Sequence, residues 1–184
     1  MRLLTAMMVL ALAGSVQAKS LKKANFNDNV QISGKTLTLN GLGLRLATIF
    51  DINVYVGSLY LEKKEQDATK ILDSKGPKLI ELAFLRGVSG KKLQGAWSDC
   101  FENNAANPQT FKGQLAQLNS SMKEVKNGDR VRFEFVPANV TVKINDIVTG
   151  TVEKGGAGFQ KVLLSCWIGP KPPNKELKSG MLGL

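Results

Sequence analysis

Residues 130–153 read RVRFEFVPANVTVKINDIVTGTVE, and this stretch decides the fold. Val131, Phe133 and Phe135 alternate with Arg130, Arg132 and Glu134. Val140, Val142 and Ile144 alternate with Thr141, Lys143 and Asn145. A period of two sends successive side chains to opposite faces, so these are strands with one dry face and one wet face. Asn145-Asp146 marks a hairpin turn, and residues 147–153 return as a third strand.

Working upstream, residues 78–85 and 51–61 are rich in Leu, Ile, Val and Tyr and read as strands. Asn40-Gly41 is a hairpin signal, predicted to join 35–39 to 42–48. Residues 19–29 are polar and read as a loose arm; 69–74 reads as a short helical turn. Between the strands the period changes. Leu93, Trp97, Cys100 and Phe101 fall at i, i+4, i+7 and i+8, one face of a helix, with Ser89 as its N-cap. Pro108 opens a second helix whose buried face carries Phe111, Leu115, Leu118 and Met122. Downstream, Phe159, Val162, Leu163, Cys166 and Trp167 form another helical stripe, stopped by Gly169-Pro170, and a last helix spans about 174–181. Gly155, Gly156 and Gly158 lack the Lys-Ser/Thr of a phosphate loop and serve helix entry and close packing. Strands, helices, strands and helix in that order predict an α+β fold: a mainly antiparallel sheet with helices packed on one face.

The chain has 184 residues, 43% of them hydrophobic and 22% charged, which suits one folded domain. It contains no histidine. That excludes Ser/His/Asp and Cys/His catalysis and any imidazole base. No metal site is expected, because two cysteines plus carboxylates make a poor zinc set, and no cofactor is implied. Met1-Arg2, an apolar run over 3–13 and the small-x-small triplet Val16-Gln17-Ala18 read as a secretory signal peptide, residues 1–18. The mature domain is then 19–184, in the periplasm or outside the cell. Lys plus Arg fall to 24 against 15 acids, a net +9. Lysine-rich runs at 19–23 and 161–178, with few aromatics, argue against nucleic acid and allow transient contact with anionic lipid. Export permits Cys100 and Cys166 to pair. Their spacing alone leaves two readings: a disulfide, or two separate buried thiols.

Four segments in order resemble the chalcone isomerase family, its bacterial chalcone isomerase-like branch above all. They are Gly41-Leu42-Gly43-Leu44-Arg45 with Val54-Tyr55-Val56-Gly57-Ser58-Leu59-Tyr60-Leu61; Leu85-Arg86-Gly87-Val88-Ser89; the hairpin over 145–152; and Ser165-Cys166-Trp167-Ile168-Gly169 with Lys175-Glu176-Leu177-Lys178. The resemblance implies an open-faced β-sandwich with a ligand cleft between sheet and helices. It matches Arg45 to the family's substrate-polarising Arg. It sets Tyr55 near a catalytic Thr, Leu93 near a catalytic Tyr, and Cys100 and Cys166 near the Asn and Thr/Ser that hold the substrate's far ring.

Leucine donates no hydrogen bond, and cysteines are poor substitutes for paired amide and hydroxyl donors. No catalytic residue is therefore assigned. Donor positions that adjoin in a cleft imply adjoining cysteines, so the resemblance favours the Cys100–Cys166 disulfide. In non-catalytic plant relatives the matching Arg and a Tyr hold a fatty-acid carboxylate. The resemblance thus implies a small apolar acid, such as a fatty acid, anchored by Arg45 and Tyr55 within walls shaped by Trp97, Phe101 and Trp167. Tyr60 is read as sheet packing. The enzymatic alternative is an isomerase or lyase acting on a chalcone-like or other unsaturated carbonyl compound, with Arg45 stabilising charge.

Overall fold

The fold was obtained as a computed structural model, which describes residues 18–47, 50–137, 139–154 and 156–184. The strands are β1 (Ala18–Leu21), β2 (Ala24–Asn27), β3 (Asn29–Ile32), β4 (Lys35–Ala47), β5 (Ile52–Leu61), β6 (Lys78–Phe84), β7 (Arg130–Val136), β8 (Asn139–Ile144) and β9 (Ile147–Val152). The helices are α1 (Ala68–Asp73), α2 (Gly90–Asn104), α3 (Lys112–Ser120), α4 (Gly156–Ile168) and α5 (Lys175–Leu182). Strands β3 to β9 form one antiparallel sheet in simple sequence order. The predicted signal peptide, but for Ala18, falls outside the described residues, as do Thr48 and Gly155. Among the described residues no helix is long and apolar enough to cross a membrane.

The α+β fold with helices on one sheet face is as the alternation requires. Leu82, Phe84, Val131, Phe133 and Val142 of the sheet share a core with Leu93 and Trp97 of α2, Leu118 of α3, and Phe159, Leu163 and Trp167 of α4. Ser89 caps α2 by accepting from the Lys92 amide. Pro108 opens a 3-10 turn (Pro108–Phe111) rather than the helix itself, and α3 starts at Lys112. Leu118 and Met122 are buried there, while Phe111 and Leu115 are only half-buried. Cys100 of α2 and Cys166 of α4 are joined as a disulfide, with Cα atoms 5.5 Å apart.

Two expectations need correction. The 19–29 segment is no loose arm: β1 and β2 pair as a hairpin. Phe26 is its anchor, buried with Leu37, Leu39, Val56 and Tyr60 in a second, smaller core on the sheet's other face. Arg130 latches it, with its guanidinium 4.9 Å over the Phe26 ring and Nη2 donating to the Asn25 carbonyl at 2.6 Å. Arg130 and Arg132 both bind the buried Glu81 carboxylate, so the polar positions of β6 and β7 form a paired network. Tyr60 is packing, as read: its hydroxyl donates to the Asn27 carbonyl at 2.9 Å.

Asn40-Gly41 is no turn. β4 runs unbroken through it, with a bulge between Leu39 and Gly41. The Asn40 side chain holds the Glu65 backbone on both sides and donates to the Met181 carbonyl at 3.0 Å. Gly41 and Gly43 are needed for a different reason. A Cβ on Gly41 would stand 2.1 Å from the Gly180 carbonyl oxygen, and one on Gly43 2.0 Å from that of Leu177. The glycines let α5 lie directly on the strand backbone.

Candidate functional site

The alternation that sets Gly41 and Gly43 under α5 puts Arg45 on the same sheet face. The helix ends before it reaches Arg45. Asn174, just ahead of α5, donates to the Leu44 carbonyl at 2.9 Å and accepts from the Leu46 amide at 3.2 Å. These contacts pin the start of α5 beside Arg45 without covering it. Arg45 is paired across β4 and β5 with Tyr55, and Tyr55 across β5 and β6 with Phe84. Tyr55 and Phe84 rings stand 5.4 Å apart.

Above these residues, the sheet and helices α2 and α4 enclose a cleft of about 680 Å³. Its floor is Arg45, Val54, Tyr55, Leu82 and Phe84; its helical wall is Leu93, Trp97, Cys100, Cys166 and Trp167. A volume of this size suits a small organic ligand. Exposed residues ring the opening: Ile52 from the sheet, Arg86 after β6, Lys92 and Asp99 on α2, and Lys171 after α4. With Arg45, four cations face one carboxylate.

The chemistry inside is that of donors. Burial pushes the Tyr55 phenol up to about 12, against the opposing pull of the Arg45 charge and the Trp167 indole N–H. The phenol therefore stays protonated near neutral pH. Trp97, Trp167 and Phe133 pack in a triangle, with ring centroids 5.1–5.3 Å apart. The Nε1 atoms of both tryptophans are buried without an acceptor at hydrogen-bond geometry. Trp167 lies close enough to Tyr55 to affect its titration, yet its N–H makes no formal bond. A phenol and a guanidinium thus line a largely apolar space, and each can give a hydrogen bond to an anion, while both indole nitrogens lie sealed beneath the wall. Leu93 stands in the wall as an apolar side chain.

Arg45, Tyr55, Trp97, Trp167 and both cysteines are brought together here. Phe101 is not. It is fully buried one step further round α2, against Phe111 and Phe159 with centroids 6.1 and 5.3 Å away. A helix turns about 100° per residue, so Phe101 shares the apolar stripe of Cys100 and still points past the cleft. Leu82, Phe84, Arg86, Lys92 and Lys171 also line the cleft and were not singled out from sequence. All seven residues of β6 are buried, so periodicity gives no sign of which set faces the cleft.

The sequence model for chalcone isomerase-like proteins matches residues 18–183. No curated protein matches the chain in sequence. Among solved structures, the crystal structure of a fatty-acid binding protein from Arabidopsis thaliana superposes with a TM-score of 0.73 at 16% identity, covering 90% of this chain and 96% of that one. At such low identity the likeness is one of fold. The family match, in contrast, spans nearly every described residue, and by it the chain belongs to the chalcone isomerase-like family.

Proposed function

We propose that the protein binds a small apolar acid, such as a fatty acid, in this cleft and does not transform it. One observation carries the reading: the apolar cleft holds a guanidinium beside a protonated phenol, paired across neighbouring strands on its floor. Such a set accepts a carboxylate. The guanidinium can form two parallel bonds and the phenol a third. Each methylene buried along Leu82, Phe84 and Leu93 then adds roughly 0.8 kcal/mol. The Arabidopsis protein of the same fold is a fatty-acid binding protein, which supports the same ligand class here. Leu93 and the disulfide occupy positions where the resemblance has catalytic and ring-holding donors, which argues against chalcone isomerisation. The signal peptide read from residues 1–18 and the disulfide together support work outside the cytoplasm.

Native mass spectrometry of the purified protein, with and without added palmitate, tests the reading. Wild type is expected to carry one acyl ligand. Loss of a charge-assisted bidentate contact in Arg45→Ala should weaken binding by about 2 kcal/mol, roughly thirtyfold. Wild type that carries no lipid and takes up no fatty acid in titration overturns it.

A further inference from the structure

The opening of the cleft has a surface chemistry of its own. Phe50 and Ile52 lie at the β4–β5 end of the sheet, 77% and 38% exposed. Large apolar side chains so exposed are normally hidden or in use when they sit together. Ile52 lines the cleft, and so does Ala47 on the facing strand. The exposed cations Arg86, Lys92 and Lys171 come from three separate segments and stand around the same opening. Among the described residues none of the three forms an ion pair with a carboxylate. Lys161, in contrast, is held by Asp73, and Lys143 by Glu134, away from the opening.

We propose that this end of the molecule docks on an anionic lipid bilayer, with Phe50 and Ile52 entering the headgroup region and Arg86, Lys92 and Lys171 holding lipid phosphates. Apolar tips at one end of a rim whose three exposed cations outnumber the exposed carboxylates Asp51 and Asp99 meet both demands of an anionic interface, which is wet and negative outside and apolar just beneath. A nucleic acid would use the charges and have no need of the exposed aliphatic side chain. An acidic protein could use both, but the apolar tips project beside an opening that leads into an apolar cleft. A bilayer surface matches that continuity. The docking depends on the rim, so it stands or falls separately from what the cleft holds.

Sedimentation with vesicles tests it, using purified protein shown by mass to begin at Lys19. Binding is expected to vesicles of phosphatidylcholine mixed with phosphatidylglycerol, to be absent with phosphatidylcholine alone, and to fade with added salt. Removing one cation near the surface should weaken binding about fivefold, so Arg86→Gln/Lys171→Gln should weaken it about twenty-five-fold. Phe50→Ser/Ile52→Ser should weaken it at least about tenfold. The controls are Lys112→Gln/Lys123→Gln, which removes the same charge elsewhere, and Ile147→Ser/Val148→Ser, which removes the exposed apolar pair at the start of β9. Thermal melting of every variant checks that it is folded. No binding to the mixed vesicles overturns the proposal. Equal weakening by rim and control pairs also overturns it, because binding would then follow net charge alone. Palmitate uptake, measured on the same variants, reports separately on the cleft.

Discussion

Tyr55 and Tyr60 are the two tyrosines of the chain, and both are buried. Burial pushes the Tyr55 phenol up to about 12, and Tyr60 is raised further, first by burial and then by the Glu81 charge. In the unfolded chain both titrate near 10. The sign follows from the proton count. Above about pH 10 the unfolded state releases protons that the folded state retains, so stability falls as pH climbs towards the folded values. Denaturant unfolding measured across that range should show the loss. Tyr55→Phe should make it shallower by about 2 kcal/mol near pH 12. Phenolate absorbance should appear with unfolding and not before it. At this scale the family resemblance pointed to Arg45 and Tyr55, and the structure sets both on the cleft floor. Phe101 lies outside the cleft lining, because a shared apolar stripe does not settle which way one side chain points.

Elements show why composition can mislead about local structure. Asn-Gly is a strong turn signal because a tight hairpin turn needs left-handed backbone at both residues. In β4 the same dipeptide serves contact instead: Asn40 ties down two backbones and Gly41 clears room for a helix that lies far away in sequence. Nothing local distinguishes the two uses. Gly43→Ala would force its new Cβ into the Leu177 backbone, and a drop of about 3 kcal/mol in unfolding free energy is expected. Gly95→Ala is the opposite case. It lies mid-helix in α2 with nothing within 4 Å of the added Cβ, and should stabilise the fold by about 0.5–1 kcal/mol. Chemical denaturation of both variants gives the comparison. The disulfide also belongs to this scale, since it fastens α2 to α4 across 66 residues. Cys100→Ser/Cys166→Ser should lower stability by about 2–4 kcal/mol, read from the denaturation midpoint. The same variant should loosen the cleft wall and speed ligand exchange.

For the whole molecule, the succession of periods was enough for the architecture. Period two before and after a helical stretch gives an antiparallel sheet with helices on one face, and the sheet indeed follows chain order. What could not be read was the covering of the second face. The β1–β2 hairpin depends on Phe26 meeting residues of β4, β5 and β6, and on Arg130 reaching over it, and no periodicity in a short polar segment announces such partners. The latching of α5 on β4 was equally hidden, and it has a bearing on biosynthesis. Asn40 and its partner Met181 are 141 positions apart. As the polypeptide emerges, the glycine strip of β4 stays bare until that distant helix has been made. The native topology therefore cannot lock early: the chain stays open along that strip until residues 175–182 have been made.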